Sequence, residues 1–182
     1  KQGECQDTSM GMTPLAGVMM GTRTGDLDPA IFGYLMDNTG MTQMEIDDVL
    51  NKKSGLKGIC GRNDLRDIHA RASLGDTLAG LAVEMFAYQI KKYIGAYAAV
   101  LGHVDGLVFT AGVGENDSIV RAKALAGLSV FGIEIDPDKN NERSHAPRPI
   151  HGANSRIQVW VVPTNEELQI ATETCQVLET SH

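Results

Sequence analysis

At 182 residues, with 42% apolar and 21% charged side chains, the chain is long enough for a packed core and too apolar for disorder. Its net charge of −7 leaves no basic surplus to neutralise a nucleic-acid backbone, although a few local donors suffice for a mononucleotide. Cys5, Cys60 and Cys175 form no CxxC pair, no apolar run approaches a membrane span and the first residues carry no signal-peptide core, so a reducing cytoplasm fits best, with neither nucleic acid nor membrane as partner.

The segment Asp7–Pro29 packs four glycines, two prolines and one arginine, Arg23, into a loop-rich stretch. Glycine at that density marks sharp turns or close approach to a ligand. Arg23 reads either as a solvated surface residue or as a fixed cation for an anionic substrate. Asp28 and Pro29 then predict a helix start, with the helix running to Asn38 before Thr39-Gly40. Thr42 caps a second helix in a capping box with Glu45. The glycine-rich stretch SGLKGICGRNDLRD reads as a loop. Ser73 to about Leu101 is the longest periodic segment, with Leu78, Leu81, Ala82, Met85 and Phe86 at helical steps.

Val104–Thr110 predicts a buried strand ending at the turn AGVGEN, followed by a helix from Asp117 to Leu128. Val130–Ile135 predicts a second strand, and Asp136–Ser155 a long polar excursion. Ile157–Val162 predicts a third strand, turned by Pro163-Thr164-Asn165 into a last helix from Glu166 to about Leu178. Two strand-turn-helix units therefore dominate the second half, and ligands gather at such strand ends in α/β folds.

In the first unit, Gly112 and Gly114 let the backbone pass close to a flat or phosphorylated ligand, or simply form a tight turn. Asp117 stands where a third glycine would complete a dinucleotide fingerprint, which disfavours NAD and an oxidoreductase. In the second unit, Thr164 or Asn165 can cap the helix, and Glu166 and Glu167 suit its positive end. Glu166 is also a candidate Mg²⁺ ligand, directly or through water. Asn63-Asp64-Leu65-Arg66-Asp67 is a charged loop, solvated on its own terms. His69, His103, His145, His151 and His182 share no spacing and take no catalytic role.

Four blocks in this order resemble the acetate/propionate/butyrate kinase family: DTSMGMTPLAGVMMGTRTGDLDP at 7–29, NKKSGLKGICGRNDLRD at 51–67, VFTAGVGEN at 108–116 and VPTNEEL at 162–168. The resemblance implies an α/β fold of the actin-like ATPase (RNase H-like) group, a mixed sheet flanked by helices. Family members are about twice this long. Their Asn-x-Gly-Ser-Ser-Ser phosphate motif and catalytic histidines have no counterpart here. The resemblance therefore implies a C-terminal half: a crossover segment, 1–28, and a nucleotide-binding domain, 29–182, with the N-terminal domain lacking.

By resemblance, Arg23 matches the transition-state arginine and Pro14 lines the acyl-group pocket. Asp64, Leu65 and Arg66 border the adenosine. Gly112 and Val113 lie against the adenine, with Val120 beside them and Asn116 nearby, Gly114 is a further nucleotide-binding residue, and Glu166 supports Mg²⁺. Met12, Ala16 and Leu65 depart from the family's usual phenylalanine, glutamate and phenylalanine. The implied reaction is in-line transfer of the γ-phosphoryl of ATP to acetate, giving acetyl phosphate and ADP, in a cytoplasmic homodimer. Propionate and butyrate kinases, or a nucleotide-binding module without catalysis, are the alternatives.

Overall fold

The structure, a computed structural model, describes residues 1–180; His182 lies outside them. The chain divides into two compact units, one of Lys1–Val104 and one from Asp105 onward. That boundary differs from the division at residue 28, which rests on family roles.

The first unit is helical. Asp28 accepts the Ala30 amide at its carboxylate, and α1 (Ala30–Thr39) begins there and ends at the left-handed Gly40. The expected capping box opens α2 (Gln43–Asp48): Thr42 accepts the Glu45 amide while the Glu45 carboxylate accepts the Thr42 amide. A π-helical turn, Val49–Lys53, follows.

The glycine-rich stretch is not the loop its composition suggests. It holds α3 (Gly55–Cys60), closed by left-handed Gly61, and the start of α4 (Leu65–Ser73), whose first amides Asp64 caps. Here glycine supplies helix ends rather than disorder. Left-handed Gly75 then breaks the chain, so the long helix α5 (Thr77–Leu101) starts four residues later than expected, capped by Asp76. Its buried stripe is Ala79, Ala82, Val83, Phe86 and Ala87. Small residues let α5 lie close on α3 and α4, which it contacts.

The second unit carries a three-stranded mixed sheet of order β1-β3-β2. Strands β1 (Gly106–Phe109) and β3 (Gln158–Val161) pair in parallel, Phe109 opposite Val161. The short β2 (Arg148–Pro149) pairs antiparallel to β3, with Arg148 opposite Val161. AGVGEN is a short helix, α6 (Ala111–Asn116), rather than a turn, and α7 (Ser118–Leu125) follows with Asp117 as its cap.

Val130–Ile135 is not a strand. Left-handed Gly127 and Gly132 bracket a 3-10 turn, Leu128–Phe131, and the reversal at Gly132 leaves only Ile135 to bridge His151. The polar excursion contains α8 (Pro137–Asn141), capped by Asp136, and β2. The last element among the described residues is α9 (Glu166–Thr180). Val120, Ile150, Val159 and Val161 form the centre of this unit's core.

Candidate functional site

In the first unit, the backbone around Arg23 is tied on both sides. The Ser54, Leu56 and Lys57 amides at the start of α3 donate to the carbonyls of Thr22, Met20 and Gly21 at 2.9–3.0 Å, so this segment satisfies the helix's open amides. The Thr24 amide donates to Leu50, and the Met20 amide to the carbonyl of Arg23 itself. Gly55, at φ +60°, backs directly onto this segment. A Cβ there would collide with the Met20 carbonyl oxygen and stand 2.6 Å from that of Arg23.

The Arg23 side chain, by contrast, is half-buried, and among the described residues its guanidinium makes one hydrogen bond, to the Met20 sulfur at 3.8 Å. Among the described residues it has no carboxylate within salt-bridge distance. A rigid backbone thus presents a guanidinium without a counter-charge, the arrangement that suits a developing negative charge. Pro14 is exposed on the same segment.

Asp64 and Arg66 form a fork. The Arg66 Nε and Nη2 donate to the Asp64 carboxylate at 3.0 and 2.6 Å, and Asp64 also accepts the Arg66 amide. Those bonds hold the Asp64 carboxyl down to about 2, with the Arg66 side chain the main cause. Leu65, between them, is half-buried.

The second unit brings its two strand-end motifs together. β1 and β3 run parallel, so both chain exits lie at one edge of the sheet, the place where open α/β sheets take ligands. Ala111, Gly112, Thr164, Asn165, Glu166 and Glu167 line a cleft of about 390 Å³ there, within the range of small-molecule sites. The Glu115 carboxylate fastens its two sides, accepting the Thr164 amide at 2.9 Å and hydroxyl at 3.1 Å. Those donors, the amide foremost, lower the Glu115 carboxyl below the ordinary glutamate value.

Within this edge, Ala111 is a non-glycine residue at φ +59°, a strained conformation that persists where its surroundings enforce it. Gly112 faces open space, while Gly114 presses on Phe109, where a Cβ would stand 3.2 Å from the backbone. Val113 is half-buried, Val120 is buried in α7, and the Asn116 amide donates to the Gly112 carbonyl. Asn165, rather than Thr164, caps α9 by accepting the Leu168 amide, which leaves Glu166 exposed in the first turn. Of the expected nucleotide and metal residues in this unit, Gly112 and Glu166 line the cleft; Val113, Gly114, Asn116 and Val120 support its β1 side. Arg23, Pro14, Asp64, Leu65 and Arg66 belong to the first unit.

Arg121 went unnoticed in the sequence. It is 2% exposed, and its guanidinium donates to the Gly114 and Glu115 carbonyls at 2.8 and 3.0 Å and to Asn140. Burial pushes it below the ordinary arginine value, and nearby Arg148 acts in the same direction. It ties the end of α6 to α8. Only its position, four residues past the Asp117 cap, could have hinted at this.

A family model, the acetokinase family, matches residues 1–172. The chain belongs to the acetokinase family. It is 58% identical over 179 residues to the acetate kinase of Oleidesulfovibrio alaskensis, covering 98% of this chain and 44% of that relative. The crystal structure of Porphyromonas gingivalis acetate kinase is similar at a TM-score of 0.88 and 44% identity, covering 93% of this chain and 43% of that one. A propionate kinase structure from Francisella tularensis is similar at 0.86 and 46%, covering 92% and 42%. The fold is therefore the α/β, actin-like ATPase fold expected, and the chain spans less than half the length of these acetokinase relatives. Among the described residues no helix is long and apolar enough to cross a membrane, and no three His, Cys, Asp or Glu side chains cluster as a metal site.

Proposed function

We propose that this chain is the nucleotide-binding part of an acetate kinase, which transfers the γ-phosphoryl of ATP to acetate and releases acetyl phosphate and ADP. The observation that carries the reading is the cleft where the glycine-bearing start of α6 after β1 and the Asn-Glu-Glu helix start after β3 meet, fastened by Glu115 and Thr164. Gly112 leaves the backbone open to a flat base, with Val113, Gly114, Asn116 and Val120 behind it. Asp64, Leu65 and Arg66 border the adenosine, and Pro14 the acyl group. Residues 1–28 are the crossover segment and 29–182 the nucleotide-binding domain.

Phosphoryl transfer asks little covalent chemistry of the protein, so positioning and charge dominate. Arg23 stabilises the charge that spreads over the transferring group. Mg²⁺ neutralises phosphate charge when bound, and Glu166 would hold it. A single exposed carboxylate fits that ion, which keeps several waters and takes one or two carboxylates beside phosphates. The enzyme works as a cytoplasmic homodimer.

Arg23→Ala in the full-length kinase is expected to lower kcat by roughly 10³-fold or more while nucleotide affinity stays intact; an unchanged kcat removes the role. The likeness to a propionate kinase structure supports a second reading, and turnover of acetate, propionate and butyrate by the same preparation separates the two. That this part is the C-terminal one belongs to the same proposal. It rests on the motif blocks the chain carries. An Asn-x-Gly-Ser-Ser-Ser block encoded upstream in the gene supports it, and one encoded downstream overturns it.

A further inference from the structure

The segment that carries Arg23 is held from a second direction, by α5. The Gln89 side-chain oxygen accepts the Met19 amide at 2.6 Å. One helical turn on, the Tyr93 hydroxyl donates to the Asp26 carboxylate at 2.5 Å. The other oxygen of Asp26 accepts the Gly17 amide at 2.8 Å, and the Asp26 amide returns a bond to the Gly17 carbonyl. Two side chains four residues apart on one helix face therefore grip both ends of the loop 17–26, with Arg23 between the grips. Met19, between Gly17 and Arg23, is buried. Asp26 pushes the Tyr93 phenol up to about 12, so the hydroxyl keeps its proton across the working range and remains a donor.

The geometry points to Gln89 and Tyr93 as positioning residues for the phosphoryl-transfer arginine. They touch neither the reacting atoms nor Arg23 itself. They set where its backbone stands, and a displacement of about 1 Å at such a group can cost about 10²-fold in rate. This inference rests on the reading of Arg23 given above.

The test uses the full-length kinase with Tyr93→Phe, which removes one oxygen, Gln89→Leu, which removes the acceptor, and Gln89→Glu, which keeps it. Each is made alone and in an Arg23→Ala background, with melting temperature, kcat and nucleotide KM measured. The expected result is a kcat loss of about 10–10²-fold for Tyr93→Phe and Gln89→Leu, nucleotide KM within about twofold, and recovery of most of the rate in Gln89→Glu. In the Arg23→Ala background the same changes are expected to cost almost nothing more, because the group they position is gone. An unchanged kcat in the single variants overturns the inference. So does an equal further loss in the Arg23→Ala background, or a loss that follows the melting temperature, since either marks a merely structural role. If Arg23→Ala alone keeps its kcat, the reading of Arg23 fails instead.

Discussion

Gly55 shows how much of this chain's chemistry rests on one residue without a side chain. Its φ of +60° already disfavours any L residue, and a Cβ would drive into the Met20 carbonyl oxygen beside Arg23. No flexible atom is there to yield; the nearest obstacles, on Met20 and Arg23, are all backbone. Gly55→Ala is therefore expected to destabilise the protein by about 2–4 kcal/mol, from the left-handed conformation and the overpacking together. Denaturant unfolding of the variant measures this. A loss below about 0.5 kcal/mol would show that the Arg23 segment relaxes away from α3 freely. The Asp64–Arg66 fork is different in kind. It is an exposed pair whose carboxyl is lowered from 3.8 to about 2. The fork is fully formed above the ordinary aspartate range and lost as pH falls through about 2.

At the scale of the element, several helix starts were legible from a local signal, although the equally local Asp64 and Asp76 caps were missed. Thr42 with Glu45, Asp28 ahead of Pro29 and the Asn165 cap all act within three residues of themselves. Partners far along the chain were not. Glu115 meets Thr164 across 49 residues, Tyr93 meets Asp26 across 67 and Gln89 meets Met19 across 70. No spacing rule predicts such pairs. Glycine misled three times: around α3 it read as loop, in AGVGEN it read as a turn where α6 forms, and Gly132 hid a reversal inside an apolar run that read as strand.

Helix α5 buries Ala79, Ala82, Val83, Phe86 and Ala87 and leaves a second apolar stripe exposed. Leu78, Leu81, Met85 and Tyr88 stand 54%, 48%, 38% and 63% exposed, at steps of three, four and three. A stripe with that spacing is what a second helix packs against, and it supports the proposed homodimer. Leu81→Glu with Met85→Glu in the full-length kinase is expected to sediment as a monomer at concentrations where the unaltered protein is a dimer. A dimer that survives both charges places the interface elsewhere.

For the whole molecule, what matters is which groups the chain carries and which it lacks. The second unit holds a cleft with Gly112 on one wall and an acidic helix start on the other, the parts to which the proposed function assigns a base and a metal-bound phosphate. The first unit holds Arg23, to which the same proposal assigns the charge of the transferring group. In-line transfer also needs groups that fix the acceptor carboxylate and enclose the phosphates, because rate comes from holding both reactants against each other away from water. The acetate kinases this chain resembles are more than twice its length, since it spans 44% of them. The isolated chain is therefore expected to bind ATP weakly and to form acetyl phosphate at a small fraction of the full-length rate, if at all. A coupled assay on the purified fragment, run beside the full-length kinase, checks this. Turnover approaching the full-length value would mean that the catalytic constellation is complete within these residues, and the partition of labour argued from the cleft and Arg23 would have to be abandoned.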